Sequence, residues 1–266
     1  MMRAGFNPAR RSRNIGTARQ GHGQDNRLVI PEMMTPSRTW NERLNKHQLI
    51  RRIVSGREII FVVEDTSGGC LHACSVEDVC HVLSHIPLAD WQGLKTIVLR
   101  QSTRKQRLLK PAWGRLLYQA DLGRRAGRNS VRFGPAVFLE AVDPQAKLEW
   151  SSSLEPGDQA ELERLRQDGH HIEQIGRHHV FQMTPTAIRA TQLYRTLLHE
   201  IGHWVDWLER VERPSGRGGD FEELSDAYFQ RPKDEREAFA HRYADDARER
   251  LTRFGIIPFE PLKLRP

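Results

Sequence analysis

Between residues 193 and 208 the apolar side chains recur with the spacing of one helix face. Leu193, Leu197, Ile201, Trp204, Val205 and Leu208 follow one another at intervals of one, three and four residues, and at about 100° per residue they gather on a single side. On the opposite side lie His199 and His203, within Leu198-His199-Glu200-Ile201-Gly202-His203-Trp204. Four residues of separation put the two imidazoles roughly 40° apart around the axis and one turn apart along it. A chain with this segment has to supply a core behind the helix and a cleft in front of it.

Two histidines on adjacent turns form the bite that a tetrahedral Zn²⁺ accepts, with the ion about 2.0–2.1 Å from each nitrogen. Glu200 projects between the two faces, where a carboxylate can take the proton of a metal-activated water and return it to a leaving group. Gly202 leaves room near the metal. A catalytic zinc needs a third protein ligand and an open fourth position. The metzincin continuation would place Gly and His where this chain has Asp206 and Glu209, so that branch is excluded. Further on, Phe239, Ala240, Tyr243 and Ala247 form a second apolar stripe, with Glu237 and His241 at its border. Glu237 is the leading third ligand. His241 is the first alternative, and Glu235, Asp220 and Asp226 remain open.

The strings HEIGHWVDW and EAFAHRY, some thirty residues apart, resemble the gluzincin metallopeptidases. The likeness is greatest to the catalytic domain of anthrax lethal factor and to the small minigluzincins, and it covers only about residues 190–250. It implies a zincin-like fold with a small sheet above the HExxH helix, and a zinc endopeptidase acting through a zinc-bound water. It also implies His199, His203 and Glu237 as ligands and Glu200 as general base. In that group a tyrosine shortly before the ligand glutamate stabilises the tetrahedral intermediate. The equivalent spacing here falls on Gln230, and Tyr228 lies two residues earlier, which makes Tyr228 the candidate oxyanion donor. Asp206 matches the V-D of the family string and is a candidate to orient a ligand histidine.

The rest of the chain reads as an α+β protein, with a small mixed sheet followed by the two long helices. Residues 1–35, rich in Arg, Gly, Asn and Gln, are expected to form a disordered basic arm. A helix is expected from an N-cap at Ser37 through Trp40, Leu44, Leu49 and Ile53 to Ser55-Gly56. Strands are expected at 58–64, 95–100, 114–120, 135–141 and 177–183, and helices after Ser75 and over 156–168, 185–210 and 232–253. A glycine-rich break at 216–219 separates the last two, as a loop or a hinge. This divides the chain into the arm, an α+β region over 36–175 of unassigned role, and a catalytic region over 176–266. The strand at 177–183, carrying His178 and His179, is expected to be an edge to which an extended peptide adds.

Charge and cysteine content bear on setting and partners. The net charge of +7 is concentrated early: residues 1–57 hold 12 of the 41 Lys and Arg but 3 of the 34 Asp and Glu. The competing expectation is therefore a basic nucleic-acid-associated or toxin-related binding protein, touching phosphates through the arm and holding a structural or silent zinc site. The arm lacks the interleaved aromatics of single-strand binders. Three cysteines, Cys70, Cys74 and Cys80, are too few and too crowded for a secreted disulfide framework. With His72 and His81 they form a local group of soft ligands whose spacing matches no zinc knuckle. No apolar run reaches the length of a signal-peptide core or a membrane span, and a cytoplasmic protein without membrane contact is expected.

Overall fold

The computed structural model describes residues 44–103, 106–107, 112–122 and 134–263, all of which fall in one compact unit. The expected basic arm, the Ser37 cap and Trp40 lie outside them. The described part of the expected first helix is a strand, β1 (His47–Val54), paired antiparallel with β2 (Arg57–Glu64). Ser55 and Gly56 have φ of 48° and 77°. Positive φ at both central residues is the requirement of a type I′ hairpin turn, so Ser-Gly reverses a strand here and does not cap a helix. The apolar residues at 49, 50, 53 and 54 fit either period, and long-range pairing decides between them.

Helix α1 (Val76–Ser84) then crosses to β3 (Thr96–Arg100), opened by a capping box in which Ser75 and Asp78 each accept from the other's backbone amide. Strands β4 (Gly114–Ala120) and β5 (Gly134–Glu140) complete a five-stranded sheet in the order β1-β2-β3-β5-β4. The three inner strands are parallel and the outer two antiparallel to their neighbours, giving the mixed sheet expected from the sequence. All five residues of β3 are buried, because a core lies on each face. Val62, Val98, Ala136 and Phe138 pack on one side, while Phe61, Ile97, Leu99, Val137 and Leu139 join the principal core on the other.

A second, antiparallel sheet is built from β6 (Leu148–Ser151), β7 (His171–Ile175) and β8 (His178–Gln182), in the order β6-β8-β7. Helix α2 (Pro156–Gln167) covers it through Leu162 and Leu165. Strand β8 is thus paired on both sides, which corrects the expectation of an edge at 177–183: its neighbours are short strands with too little apolar alternation to be recognised locally.

The helical half begins with α3 (Pro185–Thr191), capped by Thr184, which runs through a π-helical turn (Gln192–Thr196) into α4 (Leu197–Trp207) and a second π turn (Leu208–Glu212). After the glycine-rich loop comes α5 (Phe221–Gln230), a helix beyond those expected from the sequence, and then α6 (Lys233–Arg253). Residues from both sides of position 176 share the principal core, from Val54 and Phe61 to Leu251 and Ile257. Helices α4 and α6 approach closely at Gly202, where an added Cβ would stand 2.9 Å from the Ala240 carbonyl oxygen. Gly202 makes room for the second helix, and the expected role of room near a metal is secondary to that. Among the described residues no helix is long and apolar enough to cross a membrane.

Candidate metal centre

Helix α4 presents His199 and His203, both partly buried, on the side facing the cleft, with ring centroids 4.6 Å apart. Because α6 crosses α4 at Gly202, the residue one turn before Ala240 is carried alongside both rings, and that residue is Glu237. Its Oε2 lies 3.4 Å from His199 Nε2 and 3.6 Å from His203 Nε2. One ligand atom from each of the three lies within 4.8 Å of the others. Ligands about 2.0–2.1 Å from a tetrahedral ion stand roughly 3.3 Å from one another, so the Glu237 carboxylate is at about ligand separation from both imidazoles and the three residues form a group that could hold a metal ion. The two imidazoles hold the Glu237 carboxyl well below the usual carboxylate range. His199 Nδ1 is buried without a partner.

The cleft has a second wall. Strand β4 is an edge of the larger sheet and passes directly over α4. At Gly114 a Cβ would meet the Phe138 carbonyl oxygen at 2.5 Å and Thr196 Cγ2 at 2.7 Å, so only glycine allows the strand this close. Two residues on, the backbone of Leu116 favours the charged form of the Glu200 carboxylate, which is 7 % exposed. Burial pushes the Glu200 carboxyl up and the neighbouring imidazoles and the Leu116 amide oppose it, with burial the larger effect. Tyr118, two further along, lines the same cleft of ≈ 480 Å³, as do Lys233 and Arg236 from α6.

Tyr228 is buried beneath this wall. Its hydroxyl lies 2.9 Å from that of Tyr118, and both rings pack on Trp207. Of the two tyrosines, Tyr118 lines the cleft, and the buried Tyr228 packs against it. Composition could not single out Tyr118, because it sits on a strand some eighty residues before the helix. Asp206 is fully buried, and its carboxylate accepts from Arg210 Nε and from Arg231, each at 2.7 Å.

The other expected ligands go elsewhere. His241 packs its ring against that of His199, 4.4 Å between centroids, and burial lowers it to about 4. Asp220 caps α5, Glu235 lies 3.6 Å from Arg231, and Asp226 is exposed. Cys70 and Cys74 are buried free thiols and Cys80 is partly buried. His72 contacts the Glu64 carbonyl and His81 packs on Phe259. Among the described residues, these cysteines and histidines form no metal-holding group. His178 is exposed and His179 buried, both on the central strand of the small sheet. The nucleic-acid contact expected of residues 1–35 falls outside the described residues.

Searches of protein-family models, of curated proteins and of solved structures find no match to this chain.

Proposed function

We propose that this chain is a zinc-dependent metallopeptidase of zincin-like, gluzincin-type design, with peptides or proteins as substrate. The observation that carries the reading is the convergence of His199, His203 and Glu237 beside the buried Glu200, under a free sheet edge. Bound there, zinc would lower the pKa of a coordinated water and polarise a carbonyl. The chain's residues supply the remainder. Glu200, with its carboxyl pushed up by burial, accepts a proton from water and delivers it to the leaving amine. The outer edge of β4, unpaired among the described strands, offers its backbone groups to an extended peptide by strand addition. Tyr118, packed on Trp207 and bonded to Tyr228, lines the cleft as the candidate donor to the negative charge that develops on the carbonyl oxygen.

Three variants test this. Metal content by mass spectrometry should give one zinc per chain in the wild type, lost or weakened in H199A and E237A. E200Q should retain zinc yet fail to cleave any member of a diverse peptide library that the wild type cleaves. Absence of zinc from the wild type would sink the proposal, and equal cleavage by E200Q would remove its mechanism.

A further inference from the structure

The arginines that are buried or packed against helices in this fold almost all have acidic partners. Arg189 is bidentate to Asp78, Arg195 bridges Asp168 and Glu161, Arg248 reaches Asp168, and Arg210 and Arg231 share Asp206. Arg250 and Arg236 have no such partner, and of these two only Arg236 lines the candidate cleft. It stands immediately before Glu237 on α6, and among the described residues it has no carboxylate within 4.0 Å. Its guanidinium instead lies over the rings of Tyr228 and Phe229, 5.6 Å from each centroid, and its Nε is buried with no hydrogen-bond partner.

This is how a guanidinium is held when its anion is to come from outside. Contact with aromatic faces restrains the plane of the group while leaving donors at its edge uncommitted. The buried Nε is out of reach of a ligand, so the donors available to an incoming anion are the terminal nitrogens, for which no hydrogen bond exists among the described residues. Lys233, one turn earlier on the same helix, lines the cleft too and likewise has no ion pair. The two carboxylates in the cleft are committed, Glu237 beside the histidines and Glu200 beneath β4.

We propose that Arg236 is a specificity-determining residue that receives a carboxylate of the substrate near the scissile bond, so that the enzyme selects anionic peptides. The shared chemistry is a carboxylate, contributed by an acidic side chain or by a free peptide C-terminus. This rests on the peptidase reading above, but its test reads binding and cleavage separately.

The probes are short N-acetylated peptide pools, each prepared with Glu or Gln at one fixed position, and each as the free acid and as the amide. Binding is measured by calorimetry on the zinc-loaded full chain carrying E200Q, with and without R236Q or R236K, and cleavage on the same proteins with Glu200 intact. A charge-assisted pair corresponds to about a 10- to 100-fold preference for the carboxylate-bearing member of a pair. A Glu-over-Gln preference assigns the side-chain source, and an acid-over-amide preference the C-terminus. R236Q should erase the preference, and R236K should keep part of it. Equal binding of both members by the Arg236 protein, a preference that survives R236Q, or an equal loss for both members would each overturn the proposal, the last by reducing Arg236 to a prop for Tyr228. Preference without cleavage would support Arg236 while removing the peptidase reading. Cleavage of both members at equal rates would do the reverse.

Discussion

Replacing Gly202 with alanine tests whether the contact between α4 and α6 sets the geometry of the metal site. The new Cβ would lie 2.9 Å from the Ala240 carbonyl oxygen, 3.0 Å from Ala240 Cα and 3.1 Å from Tyr243 Cβ. Relaxed contacts of this kind sit at about 3.5–4.0 Å, so α6 must withdraw by roughly 0.4–1 Å at that level. Glu237 is one turn before Ala240 on the same helix and moves with it. Metal–ligand distances tolerate only about ±0.2 Å, and the carboxylate should leave the common reach of the histidines. Overpacking costs about 1–3 kcal/mol, and the gain in helix propensity offsets up to about 1 kcal/mol. The metal-free protein should therefore lose between about 0 and about 3 kcal/mol, while zinc affinity falls by about 10- to 100-fold, the range seen when ligand support is removed. Competition with a chromophoric chelator reads the affinity, and denaturant unfolding of the metal-free protein reads the stability. Wild-type zinc affinity in G202A would refute the argument that this contact positions Glu237. G157A is the control: nothing lies within 4 Å of its Cβ in the first turn of α2, and it should be neutral or stabilise by up to about 1 kcal/mol.

Y118F should lower kcat by about 100-fold or more while changing KM little, as for loss of one oxyanion donor, and Y228F should cost less because its hydroxyl acts through Tyr118; equal or reversed effects in steady-state kinetics would contradict that order. Asp168 accepts from Arg195, Arg248 and Thr191 with its side chain fully buried, so D168N should destabilise by about 3–5 kcal/mol in urea unfolding, and a change below about 1 kcal/mol would rule out a stabilising network. Burial lowers the pKa of His170 in the folded chain, so the unfolded chain binds its proton first; the stability this neutral histidine contributes is full above about pH 6.5 and declines as pH falls. H170Q should accordingly flatten the fall of the melting temperature between pH 6.5 and 5, and identical slopes in the two proteins would exclude His170 as a source. E237Q should keep the fold but weaken zinc in the chelator assay, and undiminished affinity would hand the third position to another group.

Much of the candidate metal site was legible locally. The i,i+4 spacing of His199 and His203 and the apolar stripe behind them are properties of a few consecutive turns, and the structure retains both. Glu237 could be nominated from its place at the border of a second stripe, but its meeting with the histidines depends on α6 crossing α4 at Gly202, a contact between residues thirty-eight positions apart. Where the local pattern misled, the deciding contacts were distant in sequence. Residues 49–54 fit a helix or a strand until β2 pairs with them, and the strand at 178–182 looked like an edge until β6 and β7 flanked it. The wall of the cleft was invisible for the same reason: Tyr118 and the free edge of β4 acquire their roles only from strand order, and strand order carries no local signal. The sequence by itself determined the helix and its pair of imidazoles, because helical geometry repeats every 3.6 residues and is written into neighbouring positions. Only the tertiary structure decided which carboxylate joins them, which phenol lines the cleft and which cleft arginine is left without an anion, because those are distances between elements, set by packing.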